Sequence, residues 1–258
     1  MTIQEFVKQD IERAAEENDI AVFYVCESGS RAWGFPSADS DYDVRFLYVH
    51  PRDWYLSIFR HRDTIEFMRE FDGTDVDYVG WDIGKALLLL HNGNPNLLSW
   101  IYSPYVYYED AVVERVRRLA ADNFRPRASF HHHLSLARKH YDRYIKPHQT
   151  VSRKRYLYTL RGVLSAQLAA LSVMPPIDFA DLLDASPVKK RTDVLVQIAG
   201  LVSDKMFDSE TDETERVPIL DEYIVGEIAR LRKEHIPVYR PPKEPFETLF
   251  IDIVDEYA

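Results

Sequence analysis

The stretch "ESGSRAWGFPSADSDYDVRF", residues 27–46, places Asp39, Asp41 and Asp43 close together, a short way after Gly29-Ser30. Like charges at that spacing repel and call for a cation or for open water. Asp41 and Asp43 stand at the start of "YDVRFLYVH", residues 42–50, which reads as a strand. The two-residue period of a strand sends both carboxylates to one face and Tyr42 and Val44 to the other. An oxygen-rich pair of this kind suits Mg²⁺ or Mn²⁺. Two carboxylates can bridge two ions, which would clamp a phosphoryl group for in-line displacement. Gly29-Ser30 follows a second apolar strand, "AVFYVCE" at 21–27, and is expected to open a short helix. Gly29 lets a phosphate approach the backbone, and helix-start amides with the Ser30 hydroxyl favour an anion. One segment therefore offers an anion cradle and a cation site, which together fit a metal-bound triphosphate.

A third carboxylate would complete such a site. Asp77 lies between Val76 and Tyr78 on an expected strand, and an acid in that setting is costly unless it is paired or metal-bound. Asp75 shares its face and is the rival, with capping of the Asp72-Gly73 turn as its plainer role. Arg31 and Arg45 flank the acidic motif. Arg45 is two residues past Asp43 on the same strand face, placed to pair with Asp43 or to touch a phosphate.

A separate charge signal lies farther along. From Arg125 to Arg161 there are ten Lys and Arg against the single acid Asp142, a net of +9 in a chain of formal net charge −10. A basic block in an acidic protein marks a localised anion site. Over 152–173 the apolar stripe is Leu157, Leu160, Leu164, Leu168 and Leu171, while Lys154, Tyr158 and Arg161 follow a separate stripe. Lys139, Arg143 and Lys146 repeat that spacing in the preceding helix. This basic hairpin is expected to hold a triphosphate or RNA, with a solvated basic face as the plain alternative. The run His131-His132-His133 invites a zinc reading, but consecutive helical residues diverge and no cysteine lies nearby. Cys26, the single cysteine, reads as a small core residue in an apolar run.

The elements that must carry these residues are legible as patterns. A helix is expected over 2–18, with Ile3, Phe6, Val7 and Ile11 as its apolar stripe. "TIEFMREF" and "DVDYVGW" flank Asp72-Gly73, a hairpin signal. Asp82 caps "IGKALLLLH", and Pro95 opens a short helix through Ser99-Trp100. Beyond about residue 110 strand signals stop, and helices are expected over 110–122, 128–146, 152–173, 188–203 and 218–233, with an acidic loop at 208–215. Domains of 1–122 and 123–258 follow, the first catalytic and the second all-helical. The longest strongly apolar run, Ala86 to Leu90, is far too short to span a membrane. The amphipathic, acidic start resembles no signal peptide, so a cytoplasmic location is expected.

Gly-Ser, ten residues, Asp-x-Asp and a later strand acid together resemble the nucleotidyltransferases of the DNA polymerase β superfamily. The segments "CESGSRAWGFPSADSDYDVRFLYVHPRDWYL", "GWDIGKAL", "NPNLLSWIYSPYVY" and "KRYLYTLR" resemble one branch, the YcgL/RlaP family of RNA-repair-associated nucleotidyltransferases. The resemblance runs over about 21–165 and is most specific over 26–56. It implies an α+β fold, a polymerase-β-like palm with a mixed sheet and flanking helices, followed by an all-helical C-terminal domain. It also implies a divalent metal pair on Asp41, Asp43 and Asp77, phosphate binding at Gly29 and Ser30, and a nucleoside triphosphate as donor. Ser99-Trp100 departs from the family's usual Glu-Trp, which touches acceptor choice and not the metal site. Three functions stay open: nucleotide transfer to an RNA end, transfer to a protein or small-molecule hydroxyl, and a non-catalytic NTP sensor.

Overall fold

A computed structural model describes residues 1–37, 39–59, 61–207 and 213–257, without the side chains of 206 and 207. The chain forms two compact units: residues 1–32, 41–124 and 241–258 in one, and 33–40 and 125–240 in the other.

The first unit begins with α1 (Ile3–Asn18), which starts at a capping box. Thr2 Oγ1 accepts the Glu5 N–H, and the Glu5 carboxylate accepts the Thr2 N–H. Strand β1 (Ala21–Glu27) leads into the four-residue helix α2 (Gly29–Ala32), then β2 (Tyr42–Val49) and the short α3 (Arg52–Tyr55). The hairpin β3 (Thr64–Phe71) and β4 (Thr74–Asp82) turns at Asp72-Gly73, both at positive φ, as a two-residue primed turn requires. Asp82 then caps α4 (Ile83–His91) by accepting the Gly84 N–H at 2.8 Å. Asn94 caps α5 (Pro95–Ile101) in the same way. Strand β5 (Val106–Glu109) and α6 (Val112–Asp122) follow.

The sheet order is β3-β4-β2-β1-β5, with β2 and β4 parallel and the other neighbours antiparallel. One face carries Val44, Phe46, Tyr48, Val76 and Tyr78 and is buried with Val7 and Ile11 of α1. Alternation therefore turns Asp43, Arg45, Asp77 and Trp81 to the opposite face. There Trp81 stacks on Trp100 of α5, with ring centroids 3.7 Å apart. Strand β5 has no counterpart among the expected elements, because "VYYE" is too short to show a period.

The second unit is built on α7 (Pro126–His140), which continues as one π-helical turn over 141–145, and α8 (Arg153–Ala170). The short α9 (Phe179–Ala185), α10 (Thr192–Phe207) and α11 (Pro218–Leu231) complete the bundle. Leu157, Leu160, Leu164 and Leu168 are buried with Phe35, Phe130, Leu134 and Ile224. Leu171 does not belong to that stripe: α8 ends one residue earlier, and Leu171 is 63% exposed. Nor is the unit purely helical. Strands β6 (Thr150–Ser152) and β7 (Glu213–Glu215) pair antiparallel, the latter in the second half of the acidic run whose residues 208–212 lie outside the description. A last helix, α12 (Glu244–Glu256), belongs to the first unit and packs on α4 and α6. No described helix is long and apolar enough to cross a membrane.

Candidate active site

The parallel register of β2 and β4 sets Asp43 directly beside Asp77. Arg45 reaches back between them. Its Nη2 lies 2.7 Å from Asp43 Oδ1 and 3.0 Å from Asp77 Oδ2. Its Nη1 donates to the main-chain oxygens of Val44 and Asp77, at 3.0 and 2.9 Å. Asp75 is exposed and stands opposite Glu70 of β3, one residue before the β2–β4 pairing begins at Val76. Asp41 is exposed just before β2, and its main-chain oxygen accepts from Arg31 Nε at 3.1 Å. The Arg31 guanidinium lies 3.9 Å over the Tyr42 ring.

Among the described residues, no three His, Cys, Asp or Glu side chains converge as a ready metal cluster. Asp43 and Asp77 nevertheless bracket one cationic nitrogen, and both keep partial solvent access. That fits Mg²⁺, which is commonly bound by one or two carboxylates with water and substrate phosphates supplying the rest. Asp43 and Asp77 would hold the ion; Asp41 lies just before β2, two residues from Asp43, as Asp75 lies two residues from Asp77.

Gly29 is required here for two reasons. Its φ is +62°, and a Cβ on it would sit 1.9 Å from Asp43 Oδ2. The group that crowds this backbone is thus the Asp43 carboxylate, where the sequence suggested a phosphate. Ser28 N–H also donates to Asp43 O at 2.8 Å, and Ser30 is buried. Gly29→Ala is expected to lower any activity of the site at least ~10-fold, because it strains the backbone and displaces Asp43. Kinetics alongside a melting curve check this; an unchanged rate would show that Asp43 can move freely.

Glu27 is the residue the sequence reading missed. It is 2% exposed, accepts the Asp43 N–H at 2.7 Å and accepts the Tyr107 hydroxyl at 2.5 Å. Its signal was an acid closing an otherwise apolar strand. Burial, the largest influence, pushes its carboxyl from the usual 4.5 up to about 7. The folded state therefore holds this proton after the unfolded chain has released it. Glu27 should cost the fold stability as pH rises from about 4.5 to about 7, by roughly 3 kcal/mol. Urea unfolding across that range should show a decline in the wild type that Glu27→Gln removes; parallel curves would contradict the assignment.

In the second unit, α8 carries Lys154, Tyr158 and Arg161. The Arg161 guanidinium lies 4.2 Å over the Trp33 ring, and its Nε is buried without a hydrogen-bond partner. Burial lowers its pKa, although arginine stays cationic at neutral pH. Tyr158 meets Trp33 edge-on at 4.7 Å, with Lys154 Nζ 5.8 Å over the Tyr158 ring. Trp33 was not expected here, since it lies far away in sequence. Lys139, Arg143 and Lys146 are exposed. His133 is buried while His131 and His132 are exposed, so the histidine run diverges. Cys26 is fully buried, and burial raises its thiol pKa, as a core residue requires.

The sequence model of RlaP, described as the RNA repair pathway DNA polymerase beta family, matches residues 3–252. The uncharacterized protein YcgL of Bacillus subtilis (strain 168) is 37% identical over 224 residues, covering 86% of this chain and 84% of that one. A crystal structure of a nucleotidyltransferase-like protein from Exiguobacterium sibiricum 255-15 aligns over 98% of this chain and 89% of its own, at 9% identity and a TM-score of 0.35.

Proposed function

Because the chain belongs to the RlaP family of polymerase-β-type nucleotidyltransferases, we propose that it transfers a nucleoside monophosphate from a triphosphate to an acceptor hydroxyl, most readily at an RNA end. The observation that carries this is the pairing of Asp43 with Asp77 around a single cationic nitrogen, with Gly29 packed against Asp43. Asp41, Asp43 and Asp77 would hold divalent metal, Mg²⁺ or Mn²⁺, which would supply neutralisation of the charge developing on the phosphoryl oxygens. Asp77 orients the acceptor hydroxyl and accepts its proton. The hydroxyl oxygen bonds to the α-phosphorus, the bond to the β-phosphate bridging oxygen breaks, and pyrophosphate leaves. Ser30 and Arg31 steady the donor phosphates, while Gly29 lets the Asp43 carboxylate sit against the backbone. Positioning and charge stabilisation account for the rate.

RNA as acceptor draws support from the family's description and from the +9 segment over 125–161. The acidic remainder of the chain favours a protein or small-molecule hydroxyl as the second reading. Incubation with each α-labelled NTP, Mg²⁺ and either RNA or lysate, followed by RNase or protease, sorts them. Label released only by RNase supports the first reading. RNase-resistant, protease-sensitive label overturns it in favour of the second, and no incorporation leaves an NTP sensor.

Lys154, Tyr158 and Arg161 supply the anion-binding part of the helical unit in this proposal. Lys154→Gln with Arg161→Gln is expected to weaken triphosphate or RNA binding at least ~10-fold; because Arg161 packs on Trp33, a melting curve of the variant separates lost binding from lost packing. Counterion release makes an RNA constant rise steeply with salt. Titration of both ligands at two salt concentrations checks this; unchanged binding of both would leave a solvated basic face.

A further inference from the structure

We propose that Arg45 is a built-in counter-cation of the Asp43–Asp77 pair, which a divalent ion must displace and whose release makes metal and phosphate binding mutually reinforcing. This rests on the reading that Asp43 and Asp77 hold the metal. Arg45 Nη2 contacts one oxygen of each carboxylate, at 2.7 and 3.0 Å. Mg²⁺ binds carboxylate oxygens at roughly 2.0–2.1 Å. An ion bridging these two oxygens would take the position that Nη2 occupies between them, and two cations there repel, so they compete for it.

The arrangement is suited to exchange rather than to permanent pairing. The Arg45 side chain is 14% exposed, so its charge depends on these partners. The carboxylates are more open, at 35% and 40%, so a cation can reach them from solvent. Nη1 is held separately by the carbonyls of Val44 and Asp77. Loss of the Nη2 contacts therefore leaves the guanidinium tethered beside the site, with donors newly available. A guanidinium fork suits phosphate oxygens better than a point charge does. Metal entry thus exposes a phosphate ligand, and by linkage a bound phosphate favours metal entry by the same factor.

The test is Mn²⁺ binding by the full chain, measured calorimetrically with and without inorganic tripolyphosphate. Arg45→Gln is expected to bind Mn²⁺ at least ~5-fold more tightly than wild type, to melt lower without metal and to lose the enhancement by tripolyphosphate. Arg45→Lys, which keeps a charge but not the fork, should fall between them, and it carries the test if Arg45→Gln does not fold. Arg62→Gln, which removes an exposed cation of the same unit, should bind Mn²⁺ like wild type; an equal gain there would reduce the effect to general charge removal and overturn the proposal. If Asp43→Asn abolishes Mn²⁺ binding but neither Arg45 variant tightens it, the metal reading stands and this inference fails. If Asp43→Asn leaves binding untouched, both fail.

Discussion

Asp43→Asn is expected to lower nucleotidyl transfer by at least ~10²-fold while leaving the protein folded, and Asp41→Asn to do the same. The size is that of deleting one principal electrostatic stabiliser from a site that works by positioned charge. The substitution keeps the shape of the side chain while removing its charge and turning one acceptor oxygen into an NH2 donor. Asp43 is held at its main chain by Ser28 N–H and the Glu27 carboxylate, and neither bond depends on its side chain. The fold should therefore survive, although Arg45 loses one of its two carboxylate partners. Asp41 is exposed before the strand begins, so its replacement should not disturb packing. Turnover measured beside far-ultraviolet circular dichroism separates the effects. Near-wild-type transfer by either variant, with pyrophosphate released, would remove that residue from the metal site.

Asp77→Asn is expected to be comparably inactive and Asp75→Asn to stay within ~3-fold of wild type, at saturating Mg²⁺. Both acids lie on one face of β4, so face alone does not separate them. Register does: Asp77 stands beside Asp43 and shares Arg45 with it, whereas Asp75 faces solvent across from Glu70. Removing a solvent-exposed carboxylate should cost little, while removing one that shares a cation with Asp43 should remove catalysis. An inactive Asp75→Asn together with an active Asp77→Asn would mean that the functional pairing is shifted by one strand period.

The nearness of Asp43 to Gly29 and most of the elements around them were legible because each is a local signal. Period two placed Asp43 and Arg45 on one face, and Asp72-Gly73 announced the hairpin that carries Asp77. Long-range partners left no local trace. Nothing in the sequence says that β2 and β4 are parallel, so the placing of one Arg45 nitrogen between two carboxylates could not be read. Glu27 and Tyr107 meet across 80 residues, and Trp33 finds Arg161 across a longer stretch still. The three-residue strands β6 and β7 are too short to show a period against a helical background. Leu171 fits the helical spacing, yet it falls just beyond the last helical residue.

The most direct test is a comparison of α-labelled and γ-labelled NTP with the wild type and with Asp43→Asn, in Mg²⁺ and with RNA. The account predicts that the α label alone enters RNase-sensitive product in the wild type, with the γ label recovered as pyrophosphate, and that Asp43→Asn does neither. Transfer of the γ label, or α-label incorporation that survives Asp43→Asn, would contradict it.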